Sequence, residues 1–329
     1  MNNRISVHFR AMNTDIEAQL IQQRNPHSDS AKETRDEAGE YAALVKEWFE
    51  DMETRLSRFN ASSELNRLNR AAGSWMLVSD ILFQLLAEAE AYRLRTDGLF
   101  NINVLAALQA AGYDRSFEHA GQFKPTTPFQ GAIVRPDEPY MEMDARMKAV
   151  RLRSGVQLDL GGIAKSWSVR KLSDWLRRRK GIGRGLINAG GDAMVWDDRA
   201  DGVPAELRIQ NPWDAACSDE AIQLYNGGVA TSNTLGRSWG TPQGKYHHLI
   251  DPRGMRPSGS DVVQCTISGP DVTACEVWAK VVCIAGLERG AAMLAEHAPS
   301  YESCIYMSDG SLHRLQAAIP PQRNGRRMK

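Results

Sequence analysis

The 329-residue chain lacks any run approaching the ~18 consecutive apolar residues that a membrane-spanning helix needs, so no membrane partner is expected. It also lacks net charge, with 40 Lys and Arg against 40 Asp and Glu. Without an overall positive field, nucleic acid is not an expected partner, and any basic patch has to be local. No CxxC pair occurs, and the five cysteines (Cys217, Cys265, Cys275, Cys283, Cys304) are odd in number. That argues against both a disulfide framework and a zinc site. The first twenty residues break their apolar positions with Arg4, His8, Arg10 and Asp15, unlike a signal peptide, so a cytoplasmic location is expected. Neither GxGxxG nor GxxxxGK(S/T) appears, which removes two named nucleotide signatures. Internal repeats and low-complexity stretches are missing too.

What is present reads as an α+β protein with mixed sheets packed against helices, in one large two-lobed domain spanning 1–329. Residues 4–20 alternate as a strand, and the polar stretch 22–40 reads as an exposed loop. Leu44, Val45, Trp48, Phe49, Met52 and Leu56 repeat at helical spacing over 41–56, and Ile81, Leu82, Leu85, Leu86 and Ala89 do so over 80–95. The apolar run after Gly98 fits a short strand or a helix ending near Gly112. Residues 119–158 read as strands and turns, with a hairpin around Ser154-Gly155. A β-α-β unit then follows: strand 156–160, the Gly161-Gly162 turn, a helix over 164–179 and strand 185–190. Further strands are expected at 205–210, 221–231, 246–250 and 261–268, helices at 273–285 and 287–297, then a last hairpin and a frayed tail over 320–329. The basic run Arg177 to Lys180 complements the C-terminal dipole of its helix.

Four segments carry the residue types of a reactive site. In LDLGGIAKS (158–166) a Gly pair between a strand and a helix lets backbone amides approach an anion, with Lys165 adding a full charge; a plain tight turn fits equally well. NAGGD (188–192) repeats that pattern, although alone it reads as a β-turn. In KYHHLIDPRG (245–254) the histidines offer a base near neutral pH, beside a carboxylate and a guanidinium suited to phosphate. In TACEVWAK (273–280) Glu276 suits a hard cation such as Mg²⁺, while Glu276 and Lys280 also have the i,i+4 spacing of an ion pair. Cys275 and Cys283 suit the core.

Taken in order, these segments resemble the ApbE family of flavin transferases, the FAD:protein FMN transferases. AMNT (11–14) matches the family's AMGT, SRFNASSELNRLNR (57–70) its S-x-F/Y-x-x-x-S-E-L-x-x-L-N block, and DGLFNINV (97–104) its G-x-F-D/N-x-T-V block. LDLGGIAKS, LINAGGD, VATSN (229–233), HHLIDPRG (247–254) and the Glu276 helix follow in family order, so the likeness covers nearly the whole chain.

The resemblance implies an ApbE-like, T-fold-like architecture. It implies an enzyme that binds FAD, cleaves its pyrophosphate with Mg²⁺, and transfers FMN to a Thr hydroxyl of an acceptor flavoprotein, releasing AMP. Matching positions bring FAD against Met12, Phe59, Leu99, Phe100, Asn101, Asp159, Lys165, His248 and Ile250. The metal falls between the carbonyl of Gly162 and the carboxylate of Glu276, and His248 or Asp251 accepts the Thr proton. The chain departs from the family at the metal helix, where Asp and Thr become Glu276 and Lys280. Two other functions share this site: an FAD-binding protein without efficient transfer, in which Lys280 holds the diphosphate in place of a metal, and a Mg²⁺-dependent FAD pyrophosphatase giving FMN and AMP.

Overall fold

The computed structural model describes residues 3–22, 31–115, 134–135, 138–199, 203–214, 216–218, 220–241 and 244–317. The first part of the chain runs β1 (Asn3–Ala11), β2 (Thr14–Gln22), α1 (Ala31–Leu56), α2 (Glu64–Arg70), β3 (Trp75–Leu77), α3 (Asp80–Arg95), α4 (Leu105–Ala110), β4 (Met141–Asp144) and β5 (Ala149–Leu152). It continues with α5 (Ala164–Lys180), β6 (Arg184–Ala189), β7 (Asp192–Asp197), β8 (Ala205–Ile209), β9 (Glu220–Leu224), β10 (Gly227–Asn233), β11 (Ser238–Thr241) and β12 (Gly244–His247). The last elements are β13 (Ile250–Asp251), β14 (Arg256–Pro257), β15 (Val262–Gly269), α6 (Val272–Ala285), α7 (Leu287–His297), β16 (Glu302–Met307) and β17 (Leu312–Leu315).

Eight strands form one sheet in the order β1-β2-β6-β7-β10-β15-β16-β17, and each of its ladders is antiparallel. On one side α1 packs on β1, α5 on β6 and β7, and α6 on β7, β10 and β15. Helix α6 lies between the sheet, α5 and α7, which explains why nearly all its residues are buried and why it lacks a polar face. Strand β16 alternates with period two: Ile305 joins the main core, while Cys304 and Tyr306 pack with Ile209 of the β8–β9 ribbon. All five cysteines are free, and Cys265, Cys275, Cys283 and Cys304 are buried.

The α+β reading holds, and several element expectations need correction. The strand expected over 4–20 is a hairpin, because Met12 and Asn13 take positive φ (52° and 57°) and close a two-residue turn. That turn carries no glycine, so nothing in its composition interrupts the alternation. The loop expected over 22–40 gives way to helix at Ala31; Lys, Glu, Arg and Ala there are good helix formers with no apolar period. Residues 23–30 of that loop, 119–133 and 136–137 of the strand-and-turn segment and the 320–329 tail lie outside the described residues. The run after Gly98 takes the helical alternative, as α4. The strand expected over 221–231 divides into β9 and β10, and that over 246–250 is split between β12 and β13.

The expected β-α-β unit is absent. Residues 156–160 follow a turn at Ser154-Gly155 but join no ladder, and β5 pairs instead with β3 and β4. Their backbone groups are met from elsewhere, as burial demands. Asn69 accepts from the Leu158 amide at 2.8 Å and donates to its carbonyl at 3.0 Å. Asn103 Oδ1 accepts from the Gln157 amide, and Asp159 N–H donates to the Ile102 carbonyl. Two asparagines thus fix the segment that leads into the Gly161-Gly162 turn.

Candidate active site

A cleft opens where the β1–β2 turn, the loop after α1, residues 99–104, the Gly161-Gly162 turn, the β11–β12 hairpin and α6 converge. Its empty volume is about 1120 Å³ with the open mouth included, ample for a ligand beside the ~300–1,000 Å³ of usual ligand clefts. Met12, Phe59, Leu99, Phe100, Asn101, Asp159, Gly162, Lys165, His248 and Ile250 all line it. Neither Glu276, 2% exposed, nor Asp251 is part of the lining, although Glu276 contacts Lys165 and Lys280, which are.

Local chemistry explains how these residues come to face one space. Ser63 caps α2 by accepting from the Asn66 amide, and Asn66 donates to the carbonyls of Arg58 and Asn60 at 2.8 Å. That fixes the loop presenting Arg58 and Phe59. Asp97 and Gly98 take positive φ after α3, and Thr96 Oγ1 accepts from the Phe100 amide, which turns Leu99 to Asn101 toward the cleft. Asp159 Oδ1 accepts from the Gly161 amide at 2.8 Å, shaping the turn before α5. Helix α5 begins with no side-chain cap, so its first turn offers amide donors beside Lys165.

Charge concentrates around α5 and α6. Lys165 Nζ donates to Asp192, which is 2% exposed at the end of the β6–β7 turn. Lys280 Nζ donates to Glu276 Oε1 at 3.0 Å, Lys165 lies 3.8 Å from the same oxygen, and Ser166 Oγ donates to Oε2. Burial opposes ionisation of Glu276, but the two ammonium groups and the hydroxyl overcome it and hold the carboxyl low. Burial and the nearby Glu276 charge push Asp192 the other way, upward. The second Gly pair, Gly190-Gly191, closes the β6–β7 turn and stays outside the cleft lining, so its contribution is the Lys165–Asp192 contact.

His248 is a neutral imidazole. Burial lowers its pKa well below the usual value, and the nearby Arg237 and Lys280 charges add to that. Its Nδ1 lies 3.4 Å from the Arg237 carbonyl. A carbonyl can only accept, so the contact requires the proton on Nδ1 and leaves the Nε2 lone pair free. Asp251 is occupied differently, because Arg253 donates to it from its backbone amide, Nε and Nη2 at 2.7–3.2 Å. Partial burial raises its pKa, but these bonds reverse that and hold the carboxyl below the usual range.

The donor set does not fit the Mg²⁺ expected between Gly162 and Glu276. Both Glu276 oxygens are already engaged by cations or a hydroxyl, and Asp192 is taken by Lys165. The Lys280 chain runs against Gly162, its Cε only 2.9 Å from where a Cβ on that glycine would sit. A hard dication there would meet an ammonium group instead of an open carboxylate. Among the described residues no group of three or more His, Cys, Asp and Glu gathers to hold a metal.

Sequence reading missed Arg58, Tyr113 and Arg237. Arg58 pairs with Asp159 at 2.7 Å and lies over the rings of Phe59 and Tyr113 at 4.3 and 4.4 Å. Arg237 lines the cleft opposite His248. Its signal was the hairpin register: Ser238 pairs with His247, which brings Arg237 beside His248.

The ApbE family model matches residues 12–305 of the chain. The FAD:protein FMN transferase of Klebsiella pneumoniae (strain 342) is 26% identical over 259 residues, covering 78% of each chain. Among solved structures, the ApbE protein of Thermotoga maritima MSB8 aligns with a TM-score of 0.76 at 20% identity, over 94% of this chain and 96% of that one. The flavin transferase ApbE from Vibrio cholerae aligns with a TM-score of 0.71 at 20% identity, over 97% and 98%. At such identities these two structures speak to the fold. No helix among the described residues is long and apolar enough to cross a membrane.

Proposed function

The chain belongs to the ApbE family, and on that premise we propose that it is an FAD:protein FMN transferase, with a threonine hydroxyl of a cytoplasmic flavoprotein as acceptor. The observation that carries this reading is the meeting, in one cleft, of a neutral His248 with Lys165, Arg237 and Lys280. Those groups are what an attack on a pyrophosphate needs: a base already deprotonated, and fixed cations for phosphate oxygens.

In the reaction the acceptor oxygen attacks the FMN phosphorus of FAD. The bond from that phosphorus to the bridging oxygen breaks, and AMP leaves with the bridging oxygen. The hydroxyl proton passes to His248 Nε2, the nitrogen whose lone pair is free. Asp251, committed to Arg253, holds the turn that follows and is not the base. Lys165, Arg237 and Lys280 offset the phosphate charge, and no step passes through Mg²⁺, because Lys280 holds the carboxylate that would bind it. Phe59 is 37% exposed at the cleft and offers a face for a flat ring. The free cysteines suit a reducing cytoplasm.

The test is incubation of the purified protein with FAD and a threonine-bearing acceptor flavoprotein, following AMP by chromatography and flavin fluorescence on the denatured acceptor. AMP released in proportion to acceptor-bound flavin is expected. AMP with free FMN would identify a pyrophosphatase instead, and FAD bound but intact would end the catalytic reading.

A further inference from the structure

The cation at the heart of the cleft is part of the chain itself. Lys280 lies on α6, one turn beyond Glu276, and its ammonium donates to that carboxylate at 3.0 Å. Its methylenes pass over Gly162, where any side chain would collide with Cε at 2.9 Å. Its side chain is only 15% exposed, yet Lys280 lines the cleft. An ammonium group has three donors and, among the described residues, Glu276 engages one, so two remain for a ligand. The same carboxylate also has Lys165 at 3.8 Å and the Ser166 hydroxyl.

We propose that Lys280 replaces a divalent metal in this enzyme: its ammonium, seated on Glu276 and against Gly162, neutralises the FAD diphosphate, so FMN transfer runs without Mg²⁺. This rests on the transferase reading above. A buried ammonium is attracted to the phosphate oxygens as charge moves onto the leaving AMP, and it is already oriented by Glu276 before FAD enters. Glu276 thereby becomes a positioning residue for Lys280, and Gly162 the gap through which the lysine reaches the cleft. A single charge is weaker than a dication, and Arg237 and the Asp192-paired Lys165 stand in the same lining.

Two measurements on the intact protein test the idea. The first is transfer from FAD to the acceptor in EDTA and in MgCl₂. Rates within about twofold of each other are expected, whereas loss in EDTA with recovery in Mg²⁺ would overturn the proposal. The second is Mn²⁺ titration followed by electron paramagnetic resonance, with and without FAD. The wild-type chain is expected to leave Mn²⁺ free, and stoichiometric binding at the protein would overturn the proposal even if no transfer occurs. The second readout therefore stands apart from the transferase reading, which fails separately if flavin never reaches an acceptor.

Lys280→Thr is expected to bind Mn²⁺ and to make any remaining transfer dependent on Mg²⁺. Lys280→Met is expected to lose about 10²–10³-fold in transfer, the usual cost of one electrostatic group, while still binding the isoalloxazine ring by fluorescence quenching. A Lys280→Met protein that transfers at the wild-type rate would refute the role. If both variants fail to fold, the wild-type metal measurements still decide.

Discussion

Arg58 Nε donates to Asp159 Oδ2 at 2.7 Å, and both side chains are buried, tying the loop after α1 to the segment before the Gly161-Gly162 turn. The guanidinium also donates to the Tyr113 carbonyl at 2.9 Å. Removing one partner of a buried pair leaves the other charge without compensation. Arg58→Met is therefore expected to cost about 3–5 kcal/mol in urea unfolding, and to raise KM for FAD by loosening the cleft wall. A loss under about 1 kcal/mol would show the pair to be energetically idle.

Asn69 bonds both backbone groups of Leu158 from a buried position. Asn69→Ala leaves an amide and a carbonyl unpaired, so a loss of about 2–3 kcal/mol is expected, with weaker FAD binding because Asp159 follows directly. Unchanged melting with unchanged flavin affinity would mean that water replaces the asparagine without consequence.

His248 gives a prediction in rate and in pH. His248→Gln is expected to reduce transfer by about 10²–10⁴-fold while FAD still binds, since only the proton acceptor is removed. Because burial and neighbouring cations hold its folded pKa well below 6.5, kcat/KM of the wild type should show no limb near 6.5. The unfolded chain binds a proton there that the folded chain refuses, so stability falls as pH drops below 6.5 and is flat above it, as far as His248 contributes. Urea midpoints measured from pH 5 to 8 for wild type and His248→Gln check the sign: the variant should lose part of the acid slope.

Gly162→Ala probes the contact with Lys280. The added Cβ meets the far end of a flexible chain, so stability should change by no more than ~1 kcal/mol. Moving the ammonium off its seat should nevertheless lower kcat by roughly tenfold, as expected for a misplaced charge. Equal kcat in wild type and variant, measured at saturating FAD, would separate Gly162 from Lys280 positioning.

Much of this molecule was legible in its residue order because the informative signals are local. The apolar period of α3 and the boundaries of α5, α6 and α7 follow from side chains a few positions apart, and the structure carries them with shifts of a residue or so. The residues from Met12 to Ile250 that line the cleft were named instead by the resemblance of short blocks to the family's motifs. Signals failed where the partner was distant. Residues 156–160 have the composition of a strand, yet their hydrogen bonds go largely to Asn69, Asn103 and Ile102, which no local pattern records.

The sequence alone determined the α+β class and the family blocks, since these depend on composition and short spacings, and the resemblance carried by those blocks named cleft residues from Met12 to Ile250 but not Arg58, Tyr113 or Arg237. Only the tertiary structure decided what each charge does. Lys280 and Glu276 had the spacing of an ordinary surface ion pair, and the fold buries that pair, seats Lys280 against Gly162 and puts its side chain in the cleft lining. Arg237 became a neighbour of His248 through strand pairing, and Asp251 was withdrawn by Arg253. Ionisation and reactivity depend on desolvation and on charges within a few ångströms, and those distances exist only once the chain has folded.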